Sequence, residues 1–124
     1  MAVKILDKNN FRETYENNEI LIVDFWATWC GPCQNFAPIF ESVSEEFPNI
    51  VFGKVDTDLE KELAQHFFIR SIPTILVIRD GYEVFLSPGA PSSDELRELI
   101  KKVQELDMEE VRKKFDSEDE QMGE

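Results

Sequence analysis

The chain has 124 residues, enough for one domain with a modest core and too few for two. Its apolar fraction of 42% includes ten phenylalanines, which describes a packed globule and not a disordered chain. A formal charge of -13 argues against nucleic-acid binding, because phosphate contacts need clustered Lys and Arg.

The N-terminus, MAVKILDKNN, carries no apolar run of signal-peptide type, and no stretch approaches the roughly 20 apolar residues of a membrane span. The expectation is a cytoplasmic protein without membrane contacts. Val3 to Leu6 suits a short first strand. Asn10 and Glu13 have the spacing of a capping box, ahead of a short helix in which Phe11 and Tyr15 share a face. Ile20 to Trp26, ILIVDFW, is nearly continuous in apolar residues, as a central strand covered on both faces requires, with Asp24 the one exception.

After Cys33, residues Phe36, Ile39, Phe40, Val43 and Phe47 recur at three and four, the pattern of an amphipathic helix, which Pro38 should kink. Ile50 to Val55 reads as the next strand, Leu59 to Phe67 as a short helix with Leu63 toward the core, and Ile72 to Ile78 as a β-branched strand. Asp80-Gly81 then predicts a hairpin into Tyr82 to Leu86. Ser92 and Glu95 repeat the capping-box spacing before Leu96, Leu99, Ile100, Val103 and Leu106, the last helix.

The order β-α-β-α-β-α-β-β-α predicts an α/β fold: a central mixed sheet of about five strands flanked by four helices, parallel early and with an antiparallel edge late. Residues 107–124, DMEEVRKKFDSEDEQMGE, carry eight acids against three bases. Val111 and Phe115 continue the helical spacing, and from Asp116 the chain reads as a solvated acidic tail. Residues 1–106 are therefore expected to form the domain, and 107–124 an acidic extension, partly helical or disordered.

The only cysteines, Cys30 and Cys33, lie in ATWCGPCQ at the junction of a buried strand and a helix. Free N–H groups and aligned dipoles of the helix's first turn favour a thiolate, so Cys30 should ionise below the reference value of about 8.5. Cys33, one turn inside, should be the more buried. That asymmetry suits disulfide exchange, in which one thiol attacks and the other resolves the mixed disulfide. Gly31 permits close approach of a substrate chain, and Pro32 is tolerated in the first turn, where its missing donor would be unpaired anyway. A structural zinc site would need further ligands, and only His66 and carboxylates remain, so redox use is the stronger reading over metal binding or a structural staple.

Asp24, on a strand that otherwise reads as buried, should have a raised pKa and could accept the Cys33 proton. Lys54 interrupts another apolar strand and is a candidate partner for it. Trp26 is expected to pack in the core and shape the site, Trp29 to be partly exposed to a partner, and His66 to be an ordinary helix residue.

The series VDFWATWCGPC at 23–33, Pro38, KVDTD at 54–58, SIPT at 71–74, Asp80-Gly81 and the glycine of PGA at 88–90 resembles the thioredoxin family from about Phe11 to Val103. The resemblance implies the three-layer thioredoxin fold. It places Cys30 as nucleophile and Cys33 as resolving thiol, with Trp29, Gly31 and Pro32 around them. Asp24 and Lys54 become the buried acid and its lysine. It further implies a cis bond between Ile72 and Pro73, whose backbone pairs with a substrate segment, and a docking wall kept low by Gly89.

Three features depart from the family pattern: Gln34 where a cation is usual, Pro88 before Gly89, and the tail. The implied activity is thiol:disulfide oxidoreduction, reducing protein disulfides through a reversible dithiol/disulfide couple. The resemblance further implies that no cofactor or metal is bound and that electrons come from an NADPH-dependent flavoprotein, thioredoxin reductase. The expected partners are that reductase and disulfide-containing clients, served by a monomer. The alternatives are a specialised donor or isomerase with few clients, and a non-redox binding or assembly subunit.

Overall fold

The computed structural model of the chain describes residues 2–122, with side chains as far as Ser117. Its elements are β1 (Val3–Ile5), α1 (Phe11–Glu16), β2 (Ile20–Trp26), α2 (Gly31–Glu46), β3 (Val51–Asp56), α3 (Lys61–His66), β4 (Thr74–Arg79), β5 (Tyr82–Pro88), α4 (Ser93–Gln104) and α5 (Met108–Met122). The strands form one sheet in the order β1-β3-β2-β4-β5. β1 and β2 run parallel to β3, whereas β4 runs antiparallel to β2 and β5 antiparallel to β4. Antiparallel pairing thus begins in the middle of the sheet and not only at the late edge. The crossover from β3 through α3 returns the chain beside β2 in the reverse direction.

Alternation along β2 distributes its apolar residues to two cores, because successive side chains point to opposite faces. Ile20 and Ile22 join Phe36, Phe40 and Val43 of α2 and Leu96, Ile100 and Val103 of α4. Leu21, Val23 and Phe25 join Phe11 of α1 and Phe67 after α3. The phenylalanines knit each layer, as in the Phe36–Phe40–Phe52 series with ring centroids 5.6 and 5.3 Å apart. Gly53, in β3, leaves room for the Leu6 side chain, with which a Cβ would collide.

Local signals largely govern the element ends. Ser92 accepts from the Glu95 N–H and Glu95 accepts from the Ser92 N–H, closing a full capping box on α4. Asp80 (φ 51°) and Gly81 (φ 84°) turn the β4–β5 hairpin through the left-handed region. Pro38 lies inside α2, exposed, and the helix continues through it as one element.

At α1 the expected capping box is absent. Asn10 has helical backbone angles (φ -115°, ψ -8°), and its side chain turns back to accept from the Asp7 N–H. Asp7 instead accepts from the N–H groups of Asn9 and Asn10.

A fifth helix follows the four expected ones. Met108 is buried, and Phe115 meets Tyr82 of β5 edge-on at 5.1 Å between ring centroids. Arg79 donates to the carbonyls of Val103, Gln104 and Leu106, fixing the end of α4 where α5 begins. Asp116 and Ser117 are exposed, and the rest of the acidic tail's side chains lie outside the described residues. Among the described residues no helix is long and apolar enough to cross a membrane.

Candidate functional site

β2 delivers the chain to the site. It ends at Trp26, whose carbonyl accepts from the backbone N–H and the hydroxyl of Thr57, tying the end of β2 to the segment after β3. Residues 27–29 then lead to Cys30, the N-cap of α2, in extended conformation (φ -88°, ψ 110°). Cys30 and Cys33 form a disulfide with their Cα atoms 5.2 Å apart. The Cys30 sulfur accepts from the Cys33 N–H at 3.2 Å, so it occupies the place where a side-chain oxygen caps other helices. Pro32 follows Gly31 in the first turn, where no donor is lost.

In the disulfide the two cysteines are 4% and 2% exposed, a smaller contrast in access than their positions on the helix suggest. The two cysteines pack with Ala27, and Trp26 and Ile72 pack against the group.

The opposite wall is the turn before β4. The Ile72–Pro73 peptide is cis, and the Ile72 carbonyl oxygen lies 3.8 Å from the Cys30 sulfur. Thr74 donates its hydroxyl to the Ser71 carbonyl at 2.6 Å, holding this turn. Gly89 donates its N–H to the Pro73 carbonyl at 2.8 Å with φ 105°, a conformation that favours glycine. The fold therefore brings Cys30, Cys33, Trp26, Ile72, Pro73 and Gly89 together from residues up to 63 positions apart.

Trp29 is 70% exposed, and its indole N–H donates to Asp58 at 2.9 Å. Sequence reasoning missed Asp58 as a site residue, although it closes the KVDTD motif. Nothing local links positions 29 residues apart. Gln34 donates its amide to the Thr28 carbonyl at 2.6 Å, bracing the same loop from the helix side.

Asp24 is 3% exposed on the α2 face of β2. Burial pushes its carboxyl up to about 7, with the Lys54 charge opposing the rise. Lys54 is its register partner on β3, but the two side chains do not close an ion pair. Oδ1 of Asp24 has no hydrogen-bond partner, and the Lys54 ammonium sits over the Trp26 ring, 4.8 Å from its centroid. The cation–π contact satisfies the ammonium near the surface without the desolvation that reaching the carboxylate would cost.

Among the described residues no cluster of His, Cys, Asp and Glu is arranged to hold a metal ion. His66 lies in the last turn of α3, edge-on to Phe67, away from the cysteines. The site offers a helix-capping sulfur in a reversible covalent pair and an apolar rim, which equip it for disulfide exchange, and Asp24 lies on β2, the strand that leads into it.

The thioredoxin family model matches residues 2–102. A putative thioredoxin 2 of Streptomyces coelicolor is 47% identical over 118 residues, covering 95% of this chain and 88% of that protein. The thioredoxin of Bacillus subtilis is 39% identical over 101 residues, covering 81% and 95%. Among solved structures, Plasmodium falciparum thioredoxin superposes with a TM-score of 0.75 at 39% identity, covering 80% of this chain and 97% of the other. A mutant thioredoxin from Halobacterium salinarum gives a TM-score of 0.79 at 29% identity, covering 85% and 93%. With the Cys-Gly-Pro-Cys disulfide capping α2 on this five-stranded sheet, the chain belongs to the thioredoxin family and is a thiol:disulfide oxidoreductase.

Proposed function

We propose that the protein is a general protein-disulfide reductant in which Cys30 attacks and Cys33 resolves. The observation that carries the assignment is the Cys30 sulfur at the N-cap of α2, accepting the Cys33 N–H and facing the Ile72 carbonyl. A negative sulfur is stabilised there by the first-turn donors and the helix dipole, whereas Cys33 sits inside the turn. In the dithiol form the Cys30 thiolate attacks a client disulfide, forming a Cys30–client bond and releasing one client thiolate. Cys33 then loses its proton to Asp24 and attacks the Cys30 sulfur. The Cys30–Cys33 bond forms and the second client thiolate leaves, so two electrons pass to the client.

The carboxyl of Asp24 suits this role because a group titrating at about 7 exchanges protons readily at neutral pH. Lys54 tunes that carboxyl by charge. Ile72 and Pro73 present backbone to an extended client segment, Trp29 and Gly89 border it, and Gly31 with Pro32 leaves the sulfur approachable. Trp26 covers the disulfide from beside.

The active domain is assigned to residues 1–106 and the acidic extension to 107–124. The oxidised protein is recharged by an NADPH-dependent flavoprotein thioredoxin reductase, and it works as a cytoplasmic monomer. Insulin-disulfide reduction coupled to thioredoxin reductase and NADPH tests competence and donor together; absence of turnover with the reductase rejects this donor. Cys33→Ser should accumulate a client joined to Cys30, identified by mass spectrometry, and a client joined elsewhere would reverse the assignment. A narrower reading, a donor dedicated to few clients, is favoured by Gln34, whose amide braces the Thr28 carbonyl where the family carries a cation.

A further inference from the structure

In the register of β2 with β3, Asp24 lies opposite Lys54 and Trp26 opposite Asp56. Alternation puts Asp24 and Trp26 on one face of β2, with Lys54 and Asp56 beside them on β3. The Lys54 ammonium therefore has three neighbours on that face: the Asp24 carboxyl, the Trp26 ring and the Asp56 carboxylate. Asp56 is engaged elsewhere, accepting from the N–H groups of Asp58 and Leu59. The ammonium takes the ring, 4.8 Å from its centroid, and Oδ1 of Asp24 is left without a partner. Asp24 is buried whereas Lys54 and Trp26 are half-buried, so the ring holds the charge where water still reaches it. Trp26 also packs against the group of Ala27, Cys30 and Cys33, which joins the lysine to the surroundings of the disulfide.

We propose that Trp26 is a positioning residue that holds the Lys54 ammonium on its ring and so withholds it from Asp24. With the ammonium withheld, burial dominates the carboxyl, which titrates at about 7. With the ring gone, the lysine stem is free to turn to its register partner, and a contact ion pair would favour the carboxylate. The other elements packed on this face bring apolar side chains, Ile75 of β4, Phe36 and Phe40 of α2 and Leu96 of α4, and the charge acting on the carboxyl is that of Lys54. Cys33 titrates only in the dithiol, so the oxidised protein isolates the pair. The functional side of the proposal rests on the reading that Asp24 takes the Cys33 proton, because a carboxylate paired with Lys54 would be a weaker acceptor.

The test follows the Asp24 carboxyl by its ¹³C shift against pH, and the Lys54 ε-methylene by its proton shift, in the oxidised full-length chain. In the unmodified protein the ε-methylene protons should lie upfield of an ordinary lysine's, under the ring current of Trp26. Trp26→Leu should abolish that displacement and lower the Asp24 midpoint from about 7 by about 1 pH unit or more. Trp26→Phe, a weaker ring for a cation, should fall between. A smaller side chain also admits water to Asp24, so each ring variant is repeated with Lys54→Gln. There the same substitutions should move the midpoint less than about half as far.

Ordinary ε-methylene shifts in the unmodified protein would overturn the proposal without any variant. So would an unmoved midpoint in both ring variants, or an equal fall with and without Lys54. Oxidation of the reduced proteins by a small aromatic disulfide separates the proposal from the reading beneath it, since their rate–pH profiles should move to the acid side in step with the midpoint. A midpoint that falls while the profile stays in place would uphold the grip of Trp26 on Lys54 and remove Asp24 from the proton path.

Discussion

Replacing Asp24 by Asn should change how stability depends on pH, and the structure sets the size. The carboxyl titrates at about 7 in the fold against a reference of 3.8, because burial disfavours its charge and Oδ1 has no partner. The folded protein therefore holds this proton more tightly than the unfolded chain between those values. Stability falls as pH rises from about 4 to about 7 and levels off above. Three units correspond to about 4 kcal/mol, of which under about 1 is lost at pH 4 and about 2 by pH 5.5.

Asn carries no titration but places an amide where partners are lacking, costing about 1–3 kcal/mol. The variant should be more stable than the parent by about 1–3 kcal/mol at pH 8 and less stable at pH 4, with the curves crossing between. Urea unfolding of the oxidised proteins at four pH values measures both curves. Parallel curves from pH 4 to 8 would refute the buried-charge account, and unchanged exchange kinetics at neutral pH would remove Asp24 from the proton path.

Lys54→Gln removes the charge that lowers the Asp24 pKa, so the carboxyl should titrate higher still, read from its ¹³C shift against pH; an unmoved midpoint would show the ammonium to be too screened to matter. Gly53→Ala drives a Cβ into the Leu6 side chain and should cost about 1–3 kcal/mol in urea, with the disulfide's reactivity intact. Phe115→Ala removes the edge-on contact with Tyr82, an interaction of about 0.5–1.5 kcal/mol beyond burial. Hydrogen exchange in α5 should accelerate while β2 and β3 stay protected, and uniform protection would mean that other contacts hold the helix.

Local chemistry made much of the chain legible. The period of ILIVDFW, the three-and-four spacing after Cys33, Asp80-Gly81 and the Ser92–Glu95 pair each report a backbone preference that neighbouring residues impose on themselves. The cysteine pair at a helix start is of the same kind, since both the capping geometry and the reaction lie within four residues. At Asn10 the same logic misled, because Asp7 accepts the Asn10 N–H that Glu13 would take in a capping box, and the Asp7 N–H occupies the Asn10 side-chain oxygen.

Periodicity tells which face of a strand is apolar but not which strand lies beside it. The insertion of β3 between β1 and β2, and the reversal at β4, follow from burying both faces of β2 under four helices at once. The same applies to the site. That Asp24 is buried could be read from its strand, but its lack of a partner could not, because Lys54 chooses between a carboxylate in the core and a tryptophan face nearer water. By itself the sequence determined the elements as far as α4, the reacting pair and the chemistry open to it. The tertiary structure decided the Trp29–Asp58 tie, the docking of α5 on Tyr82 and the seating of Lys54 over Trp26, because each joins residues whose mutual distance only packing sets.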